Sequence, residues 1–404
     1  MSARGATWLP RIATKAGLKR GFTALQMAHW CTYASFATFF VALLTDTRGV
    51  AEMQIGALLS ANMLFGAVGQ FAINAICDRF RSNRRIFIIL MAAILAIYFA
   101  IYFTDGFLAA SALYILLGFA LSAMPSTLDT WIIRSLRDEP GAYGPIRSAG
   151  CVAYALVVLA LGQLIGRFGY AVTLASASLF AAFGIGVALC MPEIPRDGDV
   201  KTIAASERPK LRSVPAAAWA LVFAAFLWGS ANIPILQMSK LIIGRLGGTV
   251  THMSYALFAS AFAEFPLMFY SRRLMRKSPA SKLVVASLAY FVSTSCMLLA
   301  KTPALIIVMF ALNGSFYGLL LPAKRQMIAE LAPEGLQNRM HGIADMAGGN
   351  LGGFVGNLAG GGILSAFGVP ALLATCASLH AGSFLGMLNV RRLARRAAPR
   401  GGSE

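Results

Sequence analysis

Twelve apolar segments, each about as long as a membrane is thick, constrain what this chain of 404 residues can fold into. A helix needs roughly 20 apolar residues to cross about 30 Å of hydrocarbon. Segments of that kind lie at residues 22–45, 54–76, 85–103, 107–134, 148–166, 171–191, 217–240, 251–271, 282–300, 303–323, 341–366 and 368–390. Only 13% of the residues are charged, roughly half the share found in soluble domains. The sequence therefore predicts an all-α membrane protein with twelve transmembrane helices.

The basic residues predict how these segments are oriented. The net charge of +19 is spread over short clusters between apolar segments, which argues against a nucleic-acid partner. Of the 35 lysines and arginines, all but five lie at the two termini or in loops on the same side as the termini. The five exceptions are Arg48, Arg167, Lys240, Arg245 and Lys301. Because cytoplasmic loops carry the excess of positive charge, both termini are predicted to be cytoplasmic.

The longest polar stretch lies in the middle of the chain and predicts two domains. We expect an N-terminal six-helix half at 1–192, a cytoplasmic linker at 193–214 and a C-terminal six-helix half at 215–404. The halves look like pseudo-symmetric repeats, because the basic loops at 78–85 and 271–277 occupy matching places. Such repeats are typical of secondary transporters, which bind their solute near the middle of the membrane.

One stretch carries ionisable and aromatic residues at the ends of two neighbouring apolar segments. Arg147, Cys151 and Tyr154 follow one another at i, i+4 and i+7, so a helix places them on one face. Asp129 lies near the end of the preceding segment. Ionisable residues in apolar segments are costly, which makes Asp129 and Arg147 candidate functional residues. The alternative is a structural ion pair that ties two helices together.

Residues 143–156, YGPIRSAGCVAYAL, resemble a motif of the lactose permease family of the major facilitator superfamily. Related phenylpropionate-type transporters share the YG-x-IR-x-x-G pattern. The match has no gaps and places Asp129, Arg147 and Tyr154 where that family keeps a glutamate, an arginine and a sugar-stacking tryptophan. The resemblance implies a major facilitator fold in which these three residues bind the substrate or control access to it.

The basic loop after the second segment resembles the superfamily's G-x-x-x-D-R-x-G-R-R signature. Asp78, Arg79, Arg84 and Arg85 supply its charged positions, and the resemblance implies that they form a cytoplasmic gate. Asn74 stands at the glycine position, and the turn has one extra residue. A plain charged cytoplasmic loop is the alternative interpretation.

Two further ionisable residues lie inside apolar segments. Glu264 precedes Pro266, which frees a backbone carbonyl and kinks a helix, as at transporter sites. Burial favours the neutral form of a carboxyl group, so Glu264 suits a proton carrier. His29 lies beside Trp30 and is a candidate proton relay. We expect Glu264 or Asp129 to carry the proton, while hydrogen bonding inside the helix bundle is the alternative for Glu264 and His29.

Other polar and aromatic side chains complete the predicted substrate site. They are Tyr33, Trp228, Asn232 and Asn313. The tenth apolar segment lacks the Lys-x-x-His-x-x-Glu set that lactose permease uses for proton coupling. The resemblance therefore implies neither the sugar specificity nor the proton site of that family.

Three features of the second half are interpreted as structural or topological. Glycines recur every four residues over 348–360 and predict either a sliding surface or close static packing. Lys324 and Arg325 are expected to end the tenth helix and to serve topology. His341 and Asp345 are expected to favour the start of the eleventh helix.

These features predict a secondary active transporter that moves a small organic solute by alternating access, with proton symport favoured. The alternatives are an efflux transporter of the same superfamily and a non-transporting membrane scaffold or assembly factor. An enzyme is not expected, because the sequence contains no recognisable catalytic constellation. The six scattered cysteines support neither disulfides nor a metal site, and no cofactor is expected. The expected partners are a small-molecule solute, protons and the lipid bilayer, and the resemblance implies a monomer in the inner (plasma) membrane.

Overall fold

The computed structural model describes residues 14–80, 82–192, 211–274, 278–333 and 335–397, which form helices without strands within those ranges. The helices are α1 (Lys15–Phe36), α2 (Phe40–Arg48), α3 (Glu52–Phe80), α4 (Asn83–Phe103), α5 (Phe107–Ser135), α6 (Tyr143–Phe168), α7 (Ala171–Cys190), α8 (Ala216–Gln237), α9 (Ser239–Gly244), α10 (Val250–Leu274), α11 (Pro279–Met297), α12 (Pro303–Leu331), α13 (Gln337–Asp345) and α14 (Gly352–Ala397). A 3₁₀ turn at Ala37–Phe39 joins α1 to α2, and a π-helical turn at Met346–Leu351 joins α13 to α14. Most of the predicted linker, 193–210, lies outside the described residues.

The lengths of these helices account for twelve membrane crossings. Ten helical stretches of the described residues are long and apolar enough to cross a membrane. The last of them, Arg339–Arg396, has 58 residues and would be about 87 Å long if straight, nearly three times the thickness of the hydrocarbon. Gly368 divides it, because a φ of 78° lies outside the right-handed helical region. With α10, which covers the predicted segment 251–271, all twelve predicted segments are helical.

The first of two compact units consists of residues 1–49 and 64–198. Its helices α1 and α7 lie against each other in opposite directions. A Cβ atom on Gly21 would lie 2.2 Å from the sulfur of Met191, and one on Gly184 would lie 3.0 Å from the Cβ of Ala28. The helices therefore pack closely over at least two turns.

Aromatic rings fill the interior of this first unit. Phe40 of α2 stacks on Tyr114 of α5 with ring centroids 3.7 Å apart, and Phe22 of α1 meets Trp131 of α5 edge-on at 5.3 Å. All four rings are buried. They hold α5 against α1 and α2, so the far end of α5, where Asp129 lies, has a fixed position next to α1.

The second compact unit consists of residues 50–63 and 199–404, and in it α8 packs against α14. From residue 348 to residue 360, the contacted positions on α8 rise from 225 to 234. From residue 382 to residue 386, they fall from 227 to 224. The two parts of α14 therefore run in opposite directions, and the chain reverses at Gly368.

The glycine repeat of α14 packs directly against the backbone of α8. A Cβ atom on Gly352 would lie 2.9 Å from the nitrogen of Ser230, and one on Gly356 would lie 2.3 Å from its oxygen. Gly361 meets Gly56 of α3 in the same way, at 2.6 Å from a Cβ placed on Gly56. The predicted close packing is confirmed, since larger residues at these positions would push the helices apart. Whether the surface also slides stays a prediction.

Replacing Gly314 by alanine is expected to destabilise the second unit strongly. Gly314 lies on α12, and its Cβ would fall 1.9 Å from the backbone oxygen of Ser260 on α10. Overpacking of this kind costs about 1–3 kcal/mol. We expect the thermal unfolding midpoint of the purified protein in detergent to fall by several degrees, as measured by size-exclusion recovery after heating.

The matched control for that prediction is Gly186→Ala on α7. Among the described residues, nothing beyond its own helix lies within 4 Å of the new Cβ at Gly186. Alanine also favours a helix over glycine by about 1 kcal/mol, so this midpoint should stay the same or rise. Equal midpoints for the two variants would contradict the close approach of α10 and α12.

Candidate functional site

The structure places Asp129 of α5 and Arg147 of α6 in direct contact. Nη1 of Arg147 lies 2.5 Å from Oδ2 of Asp129 and also donates a hydrogen bond to the hydroxyl of Tyr143 at 3.0 Å. The other carboxylate oxygen of Asp129 accepts a hydrogen bond from Nε2 of Gln26 on α1 at 3.0 Å. The side chains of Arg147 and Asp129 are 21% and 18% exposed, so the pair is mostly enclosed. Three helices of the first unit therefore hold an ionised pair with satisfied hydrogen bonds.

Three aromatic rings lie on α1 and α6, the helices that also carry Gln26 and Arg147. We call Trp30, Tyr33 and Tyr154 the aromatic cluster; their ring centroids are 5.8 to 6.3 Å apart. Gly150 makes room for it, because a Cβ there would lie 2.4 Å from Trp30. The hydroxyl of Tyr154 accepts a hydrogen bond from Thr38 at 3.4 Å. Rings with polar edges bind the apolar face and the hydroxyl groups of the same molecule.

His29 is enclosed beside the aromatic cluster. Its side chain is 3% exposed, and its ring lies 5.2 Å from that of Trp30. Nε2 of His29 is buried and has no hydrogen-bond partner among the described residues. Buried polar atoms are rarely left unsatisfied, so this nitrogen is available to a solute, to water or to a proton.

The predicted substrate-binding residues of the second unit, Trp228, Asn232 and Asn313, are buried. Trp228 stacks on Tyr317 with ring centroids 5.8 Å apart and an interplanar angle of 15°. Asn313 accepts a hydrogen bond from the hydroxyl of Ser293, and Asn232 is 4% exposed. Their role in binding a solute stays a prediction.

Glu264 is half-buried on α10. A buried polar group on α8, α11 and α14 was not recognisable as a unit from the sequence: the ring of Tyr290 on α11 lies 5.5 Å from Trp228 and 5.3 Å from His380. His380 is fully buried and forms a hydrogen bond with Thr294 at 2.9 Å. One feature of the sequence could have indicated His380. Like His29, it is a single histidine within an apolar segment.

The predicted gate residues are only partly described. The side chains of Asp78 and Arg79 lie outside the described part of the chain. Arg84 donates a hydrogen bond to the backbone oxygen of Met191 at 3.0 Å and so joins α4 to the end of α7. Arg85 is exposed at the start of α4. The gating role of these four residues stays a prediction.

The position and the burial of Lys324 differ from what the sequence predicts. The expectation that it ends the tenth helix is wrong, because α12 continues to Leu331. Its ammonium group is buried and lies 2.6 Å from Oδ1 of Asp345 on α13. A topological role does not by itself explain the burial, since positive charges that set topology lie in loops and at helix ends.

Known proteins resemble the chain in sequence and in fold. The model of the MFS_1 like family matches residues 22–372. Maltose permease of Geobacillus stearothermophilus is 26% identical over 369 residues, which cover 89% of this chain and 92% of the relative. A mutant of the nucleoside transporter NupG superposes with a TM-score of 0.76 at 13% identity, over 93% of this chain and 99% of that one.

A POT family transporter in complex with 5-aminolevulinic acid gives a TM-score of 0.74 at 11% identity, over 95% of this chain and 98% of that one. The predicted fold class is thereby confirmed, as is the resemblance to the major facilitator superfamily. Because the family model spans most of the sequence, the chain belongs to the MFS_1-like family, and it is a multi-pass membrane transporter of the major facilitator type.

Proposed function

We propose that this transporter takes up a small hydroxylated organic solute together with protons, by alternating access across the inner membrane. The observation that carries the proposal is the Asp129–Arg147 pair together with the aromatic cluster in the first unit. The side chains of this ion pair are only about one-fifth exposed. Ionisable residues inside a membrane are costly, and those that are present usually have a function. Charge and rings together suit a solute that has hydroxyl groups and a ring.

The distance between Arg147 and Tyr154 along α6 supports a solute about as large as a disaccharide or a nucleoside. Arg147 and Tyr154 are seven residues apart on the helix, which corresponds to about 10.5 Å along its axis. The guanidinium and carboxylate bind hydroxyl or anionic groups at one end. The aromatic cluster stacks against a ring at the other end. A disaccharide or a nucleoside has both features at a comparable separation.

The comparisons support the same solute class. One relative is named for maltose and one structural neighbour for nucleosides, and both kinds of molecule combine rings with hydroxyl groups. We infer a sugar or a nucleoside as the solute of this transporter. We do not propose maltose itself as the solute, because the maltose permease is only 26% identical to this chain.

Proton coupling and orientation complete the proposal. Glu264 and Asp129 are the carboxylates that we expect to exchange protons, with His29 as a relay. The lysines and arginines at the termini and in the loops on the same side support cytoplasmic termini and a cytoplasmic linker. We expect this linker to join six-helix halves at 1–192 and 215–404. We expect the monomer to be the working unit, as is usual when each chain holds a complete site.

A thermal-shift screen followed by counterflow tests the proposed function. Purified protein is heated with sugars, nucleosides, aromatic acids and siderophore-like compounds, and each stabilising compound is then used in radiolabelled form with proteoliposomes. We expect counterflow without a gradient and accumulation when the interior is alkaline. Absence of counterflow with every stabilising compound would indicate a scaffold, and depletion of the solute from expressing cells would indicate efflux.

A further inference from the structure

Four arginines lie close together near the end of the last helix, α14. They are Arg391, Arg392, Arg395 and Arg396. At about 100° per residue, these positions fall within an arc of about 140° on the surface of the helix. The neighbouring side of the helix packs into the hydrophobic core of the second unit through Met387, Val390 and Ala394. The arginines therefore form one basic face, which we call the arginine face.

The guanidinium groups of the arginine face are not neutralised by the described acids. Within the described part of the chain, none of the four forms an ion pair. Arg392, Arg395 and Arg396 are exposed. Nε of Arg391 is buried and has no hydrogen-bond partner among the described residues. Buried polar atoms are usually satisfied, so this nitrogen indicates an acceptor that the described residues do not supply.

The arginine face lies level with the start of α8. Ser383 of α14 donates a hydrogen bond to the backbone oxygen of Ala224 at 2.9 Å, and a Cβ on Gly386 would lie 2.8 Å from the Cβ of Ala224. Because the two helices run in opposite directions here, α14 follows α8 towards Ala216. Along the helix axes, Ala216 is about 12 Å from Ala224, and the arginines are about 7.5 to 15 Å beyond Gly386.

The start of α11 lies at the same end of the second unit. Thr294 of α11 forms a hydrogen bond with His380 of α14 at 2.9 Å. Successive membrane crossings alternate in direction, so α11 and this part of α14 also run in opposite directions. Pro279, the first residue of α11, and Arg395 of α14 are both about 22 Å from this hydrogen bond along their helices.

Both helix starts present backbone N–H groups to this end of the unit. Among the described residues, no side chain caps α8 after Pro215 or α11 after Ser278. The N-terminus of a helix carries a partial positive charge, and its free N–H groups suit a phosphate group. Two uncapped N-termini and four arginines are thus found at one end of the second unit.

The arginine face reaches the depth of the lipid headgroups. Measured along α14 from the reversal at Gly368, Arg391 and Arg396 are about 35 and 42 Å away. The hydrocarbon of a bilayer is about 30 Å thick, and the bilayer with its headgroups is roughly 40–45 Å thick. A helix that enters the hydrocarbon at Gly368 therefore carries these arginines among the headgroups of the opposite leaflet.

We propose that the arginine face and the starts of α8 and α11 form a binding site for the headgroup of an anionic phospholipid. The guanidinium groups donate charge-assisted hydrogen bonds to phosphate oxygens. Clusters of basic residues directly beside a transmembrane helix are typical of sites for acidic lipids. The depth of the site favours a lipid over a free phosphate ion, because acyl chains hold a lipid phosphate at this level. The inference does not depend on the identity of the transported solute.

Native mass spectrometry of the full-length protein in a neutral detergent tests the site. The protein is mixed with equal amounts of phosphatidylglycerol and phosphatidylcholine that carry the same acyl chains. We expect at least about fivefold more phosphatidylglycerol to remain bound, because each guanidinium attracts the acidic headgroup. In R391Q/R395Q this ratio should fall close to one. The matched control R325Q/R339Q removes two exposed arginines elsewhere in the second unit and should keep the wild-type ratio.

Equal retention of the two lipids by the wild-type protein, or an unchanged ratio in R391Q/R395Q, would overturn the proposal. Inorganic phosphate distinguishes a lipid from a free ion. If phosphate raises the thermal unfolding midpoint as much as phosphatidylglycerol does, the site binds a free anion and the lipid assignment is wrong.

The salt dependence of lipid binding keeps the proposal testable if R391Q/R395Q does not fold. Lipid retention by the wild-type protein is compared at about 0.05 M and about 0.5 M ammonium acetate. Screening of exposed charges is much stronger at the higher concentration, so the preference for phosphatidylglycerol should decrease. A preference that salt leaves unchanged would contradict recognition by the arginines.

Discussion

Arg147→Lys is expected to lower solute uptake at least 100-fold while the protein remains folded. Nη1 of Arg147 contacts Asp129 and Tyr143 together, and a lysine is shorter and carries its donors in a different geometry, so its ammonium group does not reach the same position. A 100-fold decrease corresponds to about 2.8 kcal/mol, which is within the roughly 1.5–3 kcal/mol that a hydrogen bond to a charged group contributes. The positive charge is retained, so Asp129 keeps a counter-ion and the fold should survive. Asp129→Asn should lower uptake similarly, because it removes the charge that holds the guanidinium.

Arg137→Lys is the matched control for this prediction. Arg137 is exposed in the turn between α5 and α6, so the same substitution there should leave uptake unchanged. Uptake is measured as initial rates in proteoliposomes, and folding as a monodisperse peak in size-exclusion chromatography. Full uptake by both the Arg147 and the Asp129 variants would remove the pair from the transport mechanism.

Glu264→Gln is expected to abolish solute accumulation driven by a pH gradient and to preserve counterflow. Glutamine has nearly the same shape as glutamate, so the packing of α10 is retained, but it cannot bind or release a proton. Glu264 is half-buried within an apolar helix, where an ionisable group is costly and is usually found at a functional site. Accumulation is compared at inward and zero proton gradients, and we expect a decrease of at least tenfold.

Glu139→Gln serves as the control for charge removal alone. Glu139 is in the turn before α6, where the hydrogen bond from Lys19 lowers the pKa of its carboxyl group. It therefore stays ionised at any pH used for transport and cannot carry protons there. This variant should accumulate solute normally. If Glu264→Gln does the same, Glu264 is not a proton carrier; if it loses counterflow too, Glu264 binds the solute.

The positions of the membrane helices could be predicted because the signal is local. Length and hydropathy define each segment by itself, and the boundary expected between 366 and 368 coincides with the reversal at Gly368. The Asp129–Arg147 contact was also predictable, since the turn between the two apolar segments is short. The other residues that form hydrogen bonds with this pair were harder to predict. Tyr143 lies one helical turn before Arg147, but nothing in the sequence shows that its hydroxyl turns towards the guanidinium.

Features that depend on packing between distant segments could not be predicted. Lys324 resembles a residue that ends a helix, because it follows an apolar segment and precedes Arg325. The following residues nevertheless continue α12 to Leu331, and α13 then covers the lysine. Residues 50–63 likewise precede the central linker in sequence but belong to the second compact unit. These residues belong to the second unit because of close contacts at glycines. The contacts join segments that are distant in the chain, so no local sequence pattern predicts them.

The left-handed backbone at Gly368 determines on which side of the bilayer the chain ends. An ordinary side chain is strained at a φ of 78°, and a helical residue there would join the 46 residues of α14 into one rod about 69 Å long. Its last turns would then project beyond the far leaflet with four arginines, Arg391, Arg392, Arg395 and Arg396. Translocating so much positive charge opposes the usual distribution of basic residues. The glycine at this position therefore permits the reversal that keeps the number of crossings even.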